Sequence, residues 1–163
     1  MFNLQAPPAS GGSKAETYEL LQQQAEALLH GERDRIANAA NLASLIWHSL
    51  PDLNWSGFYL FDGTELVLGP FMGKPACVRI ALGKGVCGTA ASSRTTQRVD
   101  DVHAFAGHIA CDAASNSEIV VPLVRDGMLL GVLDLDSPIT HRFDAEDQAA
   151  LERLAALWVA ASA

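Results

Sequence analysis

Three cysteines, Cys77, Cys87 and Cys111, stand far apart in this chain, and thiol chemistry is the first reaction class they raise. A reactive cysteine needs thiolate character, drawn from nearby positive charge or from a helix N-terminus. Cys111 sits in His108-Ile109-Ala110-Cys111-Asp112, a polar stretch that favours exposure, and His108 is a candidate source of charge. Cys87 lies in Gly85-Val86-Cys87-Gly88, where a helix is expected to start and its dipole would stabilise a thiolate. Cys77 opens an apparent strand in which Val78 and Ile80 alternate with Arg79. Against these readings stands the ordinary use of a free cysteine as a small buried hydrophobe, which stays open for Cys77 and Cys87. The absence of a CxxC pair argues against thioredoxin-type exchange within the chain. An odd number of widely spaced cysteines fits a reducing compartment better than a secreted disulfide framework.

Carboxylates and aromatics supply the second group of candidates. Asp134 and Asp136 flank Leu135 and share one face of a strand, with Leu133 and Leu135 on the other, and Glu118 begins the preceding strand. Such a pattern describes either a solvated sheet face or an acidic cluster that holds an ammonium group or delivers a proton. Trp55 and Tyr59, four residues apart in a strand, also share a face. They serve a core, or else one wall of a pocket that accepts a methyl group and a cation. Other chemistries are weaker. Gly83-Lys84-Gly85 lacks the spacing of a phosphate loop, no nucleophile elbow is present, and a zinc set drawn from His103, His108, Cys111 and Asp112 has loose spacing and a single thiol.

The elements that must position these residues are legible from periodicity. Residues 1–13, with paired prolines and glycines, read as a flexible tail, followed by one domain over 14–163. Apolar residues at three- and four-residue steps predict a helix over 14–30, closed by Gly31, and a second over about 32–49. Strands are expected at 55–61, 65–71, 77–82, 118–124 and 128–135, with hairpins at Asp62-Gly63-Thr64 and Arg125-Asp126-Gly127. A short helix is expected over 85–92, a long polar loop over 94–116, and a final helix over about 145–160 capped by Asp144. Helices flanking a run of strands give an α+β fold: an antiparallel sheet with N- and C-terminal helices packed on one face. GAF and PAS domains share this pattern.

Composition narrows the function classes. A net charge of −8 and no run of adjacent basic residues argue against nucleic acid as a partner. No apolar stretch approaches the length of a membrane-spanning helix, and residues 1–13 lack the features of a secretory signal, so a soluble cytoplasmic protein is expected.

With these residues assembled, the chain resembles the free methionine-R-sulfoxide reductase family of GAF-domain enzymes across about residues 15–160. The resemblance rests on Gly31-Glu32-Arg33-Asp34-Arg35-Ile36-Ala37-Asn38 and Asn54-Trp55-Ser56-Gly57-Phe58-Tyr59-Leu60. It rests further on Cys77 before Val-Arg-Ile, Cys87 in Gly-Lys-Gly-Val-Cys-Gly-Thr, Cys111 with Glu118 in the segment 108–122, and Gly131-Val132-Leu133-Asp134-Leu135-Asp136-Ser137-Pro138. It implies that Cys111 is the nucleophile, Cys77 the principal resolving thiol and Cys87 an alternative. Trp55, Tyr59, Glu118, Asp134 and Asp136 would line the substrate pocket, with Glu118 and Asp136 also candidates for proton delivery. The implied substrate is free methionine-R-sulfoxide, the implied reductant thioredoxin, and no metal or organic cofactor is required; a homodimer is one expected assembly. Two rival expectations are a noncatalytic small-ligand GAF sensor, disfavoured because no output module follows Ala163, and a peroxide-reducing thiol protein.

Overall fold

The structure, a computed structural model, describes residues 1–5, 12–109 and 111–163. Residues 6–11 of the expected tail lie outside the described residues; ahead of them, Gln5 exchanges two hydrogen bonds with the Gln24 side chain, at 2.8 and 3.1 Å. Helix α1 (Lys14–Leu29) starts where the Ser13 hydroxyl accepts from the Glu16 N–H, and buries Tyr18, Leu21, Ala25 and Leu29 at helical spacing. Helix α2 begins at Arg35, later than expected, because the Asp34 carboxylate caps the Ile36 and Ala37 N–H groups while Glu32 accepts from Arg33 and Asp34 outside the helix. It runs Arg35–Ser49 and buries Ala39, Leu42, Ala43 and Ile46, while Ile36 is exposed.

Six antiparallel strands form one sheet in the order β3-β2-β1-β6-β5-β4: β1 (Trp55–Phe61), β2 (Glu65–Gly73), β3 (Arg79–Ala81), β4 (Gln97–Val99), β5 (Ser117–Arg125) and β6 (Met128–Ser137). β3 is shorter than the expected 77–82, and Cys77 lies just ahead of it. Both expected hairpins form. Helix α3 (Gly85–Ser93) links β3 to β4, and a final helix α4 (Ala145–Ala161) is closed by a capping box between Asp144 and Asp147.

The expected α+β arrangement is borne out. α1, α2 and α4 cover one sheet face, packing on Phe58, Ile119, Val121, Leu123, Leu133 and Leu135, with Phe58 against Trp158 at 5.4 Å between rings. The opposite face carries Trp55, Tyr59, Val120 and Val132 and is roofed by α3. Period-two alternation thus sends Leu133 and Leu135 of β6 to the helices and its aspartates to the roofed side. Gly131 lets β6 close on β1, since a Cβ there would stand 2.2 Å from the Tyr59 carbonyl oxygen.

Candidate active site

Register places the acids and aromatics in adjoining rows. Trp55, Asp136 and Glu118 stand side by side across β1, β6 and β5, and Gly57, Asp134 and Val120 form the next row. Gly57 leaves room for the indole, because a Cβ there would lie 2.8 Å from Trp55 Cη2 and closer still to Phe71. Trp55 stacks between Tyr59 and Phe71, with ring centroids 5.7 and 5.2 Å away. Both aromatics also fix the segment ahead of β3: the indole N–H donates to the Lys74 carbonyl at 3.2 Å, and the Tyr59 hydroxyl donates to the Cys77 carbonyl at 2.9 Å.

That bonding holds Cys77 opposite the loop that carries Cys111. The two are joined in a disulfide with Cα atoms 5.5 Å apart. On the loop side, the Asn54 amide donates to Asp112 Oδ2 at 3.1 Å and to Ser115 Oγ at 3.0 Å, while Asn116 N–H donates to the Ser137 carbonyl. The Ala114 N–H bound to Asp112 holds that carboxyl below its ordinary value, with the Asn54 amide acting in the same direction. Asn54 therefore anchors the Cys111 loop to the start of β1.

Cys111, tied to Cys77, lines a cavity of about 40 Å³ whose wall also includes Trp55, Tyr59, Cys87, His108, Glu118 and Asp136. Glu118 is buried and Asp136 half-buried. Burial first, then the neighbouring Asp134 charge, pushes both carboxyls well above the carboxylate range. Asp134 stands behind the wall, also buried, and its carboxyl is pushed up to about 6, chiefly by burial. Charged carboxylates lose hydration in such a place, and like-charged neighbours oppose ionisation, so Glu118 and Asp136 are favoured as acids beside Asp134, the most readily ionised of the three.

Two expectations about the thiols change here. Cys87 occupies the first turn of α3, but its thiol is buried, lies 3.8 Å from Glu118 Oε1, and is driven well above its ordinary value by burial and then by Asp134 and Glu118. Desolvation and negative neighbours outweigh the helix dipole, so Cys87 is a neutral thiol. His108 does reach the cavity, with Nε2 3.8 Å from Glu118 Oε2. Burial, assisted by His103, lowers its pKa, so it brings a neutral imidazole rather than a positive charge.

The arrangement thus combines a cystine facing a cavity, protonated carboxyls and an aromatic wall. The chain matches the GAF domain family over residues 21–161. Over 144 residues it is 53% identical to the free methionine-R-sulfoxide reductase of Escherichia coli (strain K12), a span covering 88% of this chain and 87% of that relative. The chain belongs to the free methionine-R-sulfoxide reductase family. A Saccharomyces cerevisiae (strain ATCC 204508 / S288c) protein of the same name is 47% identical over 91% of this chain and 87% of its own length. The X-ray structure of the Neisseria meningitidis free methionine-R-sulfoxide reductase in complex with its substrate superposes with a TM-score of 0.93, at 42% identity, over 99% of this chain and 95% of that one.

Of the residues the family resemblance singles out, the fold brings Trp55, Tyr59, Cys87, Cys111, Glu118 and Asp136 onto one cavity, ties Cys77 to Cys111, and sets Asp134 immediately behind. It does not assemble the zinc set: Cys111 is in the disulfide, and His103 Nε2 pairs with Asn116 Oδ1 at 3.0 Å. Asn54, Gly57 and Ser115 shape the site without having been assigned a role from sequence. Asn54 and Gly57 stand inside the quoted Asn-Trp-Ser-Gly-Phe-Tyr segment, and a glycine between two aromatics of one strand face was the available signal.

Proposed function

We propose that this chain reduces free methionine-R-sulfoxide to methionine with Cys111 as nucleophile. The reading is carried by one observation: the Cys77–Cys111 disulfide closes onto the cavity where Glu118 and Asp136 are held as acids. A sulfoxide sulfur becomes electrophilic when its oxygen is hydrogen-bonded or protonated, so thiolate and acid must meet at one substrate. The Cys111 thiolate attacks sulfur, the sulfoxide S–O bond breaks as its oxygen is protonated and passes to the Cys111 sulfur, and methionine leaves with Cys111 as sulfenic acid. The Cys77 thiol then displaces water from that sulfenic acid and forms the disulfide. An external dithiol of the thioredoxin type supplies the two electrons: it becomes a disulfide and returns both cysteines to thiols.

The same geometry explains the choice of a free amino acid. Asp134, the most readily ionised of the three acids, pairs the substrate ammonium, and the Trp55 and Tyr59 wall receives the methyl end. A peptide amide would leave the buried acids without a cation, a costly mismatch. Small-molecule pockets span several hundred Å³. A cavity of about 40 Å³ admits no amino acid of this size, so the substrate enters the dithiol form, once the Cys111 loop is no longer tied to Cys77. The reducing cytoplasm is the compartment in which such a cycle is resupplied.

Pre-reduced protein, freed of reductant and mixed with excess free methionine sulfoxide, is the direct test. The expected stoichiometry is one methionine formed and the two thiols of Cys77 and Cys111 lost per chain. Ligand binding with no methionine formed would identify a sensor instead, and peroxide turnover without sulfoxide turnover would identify a peroxidase.

A further inference from the structure

Behind the cavity wall, Asp134 is 5% exposed and its Oδ1 has no hydrogen-bond partner among the described residues. One donor atom each from Cys87, Glu118 and Asp134 lies within 4.8 Å of the other two. A buried carboxylate oxygen with unmet lone pairs is costly unless a donor or a cation fills the position. The neighbouring cavity of about 40 Å³ has room for an ion with a water or two and little more.

We propose that Cys87 Sγ, Glu118 and Asp134 form a binding site for one divalent cation of the zinc type. Their donor set selects the class: thiolate with two carboxylates suits zinc or cadmium, whereas magnesium and calcium prefer oxygen alone. The geometry is close to what tetrahedral coordination needs. At zinc–ligand lengths of about 2.0–2.3 Å the ligand atoms stand about 3.3–3.7 Å apart, and Cys87 Sγ already lies 3.8 Å from Glu118 Oε1. The other two edges are at most 4.8 Å, so modest side-chain rotation closes the set, with a water taking the fourth position. His108 Nε2, 3.8 Å from Glu118 Oε2, is the nearest imidazole to that position. Binding expels the Cys87 proton and any carboxyl protons to solvent and involves no change of oxidation state. The coordination stands apart from the reductase reading, while its consequence rests on that reading: a cation on Glu118 and Asp134 removes the acid and the ammonium partner, which makes this an inhibitory site.

Cadmium titration of the disulfide-closed protein tests this directly, because Cys87 is then the free thiol of the chain. The ultraviolet thiolate-to-cadmium charge-transfer band is expected to saturate at one ion per chain, to be displaced by zinc, and to be absent in Cys87→Ser. Asp134→Asn and Glu118→Gln, each checked for folding by circular dichroism, should weaken the apparent affinity at least about tenfold; one folded variant of the two suffices. No band in the wild-type protein, or a band of unchanged affinity in a folded carboxylate variant, would overturn the site. Turnover enters neither measurement, so failure of the reductase reading and failure of the metal site are separately visible.

Discussion

Cys111 and Cys77 form a symmetric bond yet are assigned unequal tasks, and the asymmetry is measurable. Cys111→Ser is expected to form no methionine, whereas Cys77→Ser should form one methionine per chain in the first turnover and then recycle poorly with thioredoxin. Near wild-type methionine formation by Cys111→Ser in a quenched single turnover would remove the nucleophile assignment. The carboxyls are separable in the same experiment. Glu118→Gln and Asp136→Asn should each slow methionine release by about 2–4 kcal/mol of transition-state stabilisation, with disulfide formation less affected. Asp134→Asn should chiefly raise the substrate concentration needed. At this scale the sequence displayed the residue types but not their protonation. Asp134 and Asp136 alternate with leucines in a way that fits a solvated face equally well; α3 and the Cys111 loop, brought over that face by tertiary folding, are what desolvate them. For Cys87 the local cue of a helix N-terminus pointed the wrong way, because burial beside two acids is a long-range fact.

Among the elements, the long periodic ones were legible and the short ones were not. α1, α4 and the two hairpins follow from apolar spacing and turn residues, but β4 (Gln97–Val99) and the 3-10 turn at Val102–Ala104 lie inside the stretch expected to be a loop. Three residues are too few to show a period, and β4 exists by pairing with β5 rather than by its own preference. A buried charge knits the helical layer together. Asp147, fully buried at the start of α4, accepts from the Tyr18 hydroxyl at 2.6 Å, Lys14 Nζ at 2.7 Å and Arg142 Nη1 at 3.2 Å. Asp147→Ala would leave the Tyr18 hydroxyl without its acceptor, leave the Arg142 side chain only the Pro51 carbonyl as acceptor, and lose the capping box. It should cost about 3–5 kcal/mol, read as a lower urea midpoint at unchanged slope. A midpoint within error of wild type would show that the helical layer holds without this network.

For the whole molecule, the site is carried at a cost in stability. The fold keeps an acid face under a roof, and Asp134, pushed up to about 6 from 3.8, binds its proton more tightly folded than unfolded. Stability from this group is therefore full below about pH 4 and lost as pH rises to about 6, and the higher-lying Glu118 and Asp136 carry the loss further up. Asp134→Asn removes that penalty, so its stability relative to wild type should be near zero at pH 4 and grow to about 1–3 kcal/mol by pH 8. Thermal melts across this range check it; a variant less stable than wild type at pH 8 would mean that the ionised Asp134 is stabilised by its surroundings. The overall architecture was open to sequence reading because the two sheet faces alternate so regularly, whereas the small cavity and the placement of Asp134 behind it depend on how α3 seats on the sheet. If the proposed roles hold, with Trp55 and Tyr59 at the methyl group, Asp134 at the ammonium and Glu118 and Asp136 at the oxygen, the pocket accepts one hand of the sulfoxide. The decisive measurement is diastereomer-resolved chromatography of racemic free methionine sulfoxide after incubation with the protein and dithiothreitol: the account predicts complete loss of the R form with the S form intact, and equal consumption of both, or of neither, would contradict it.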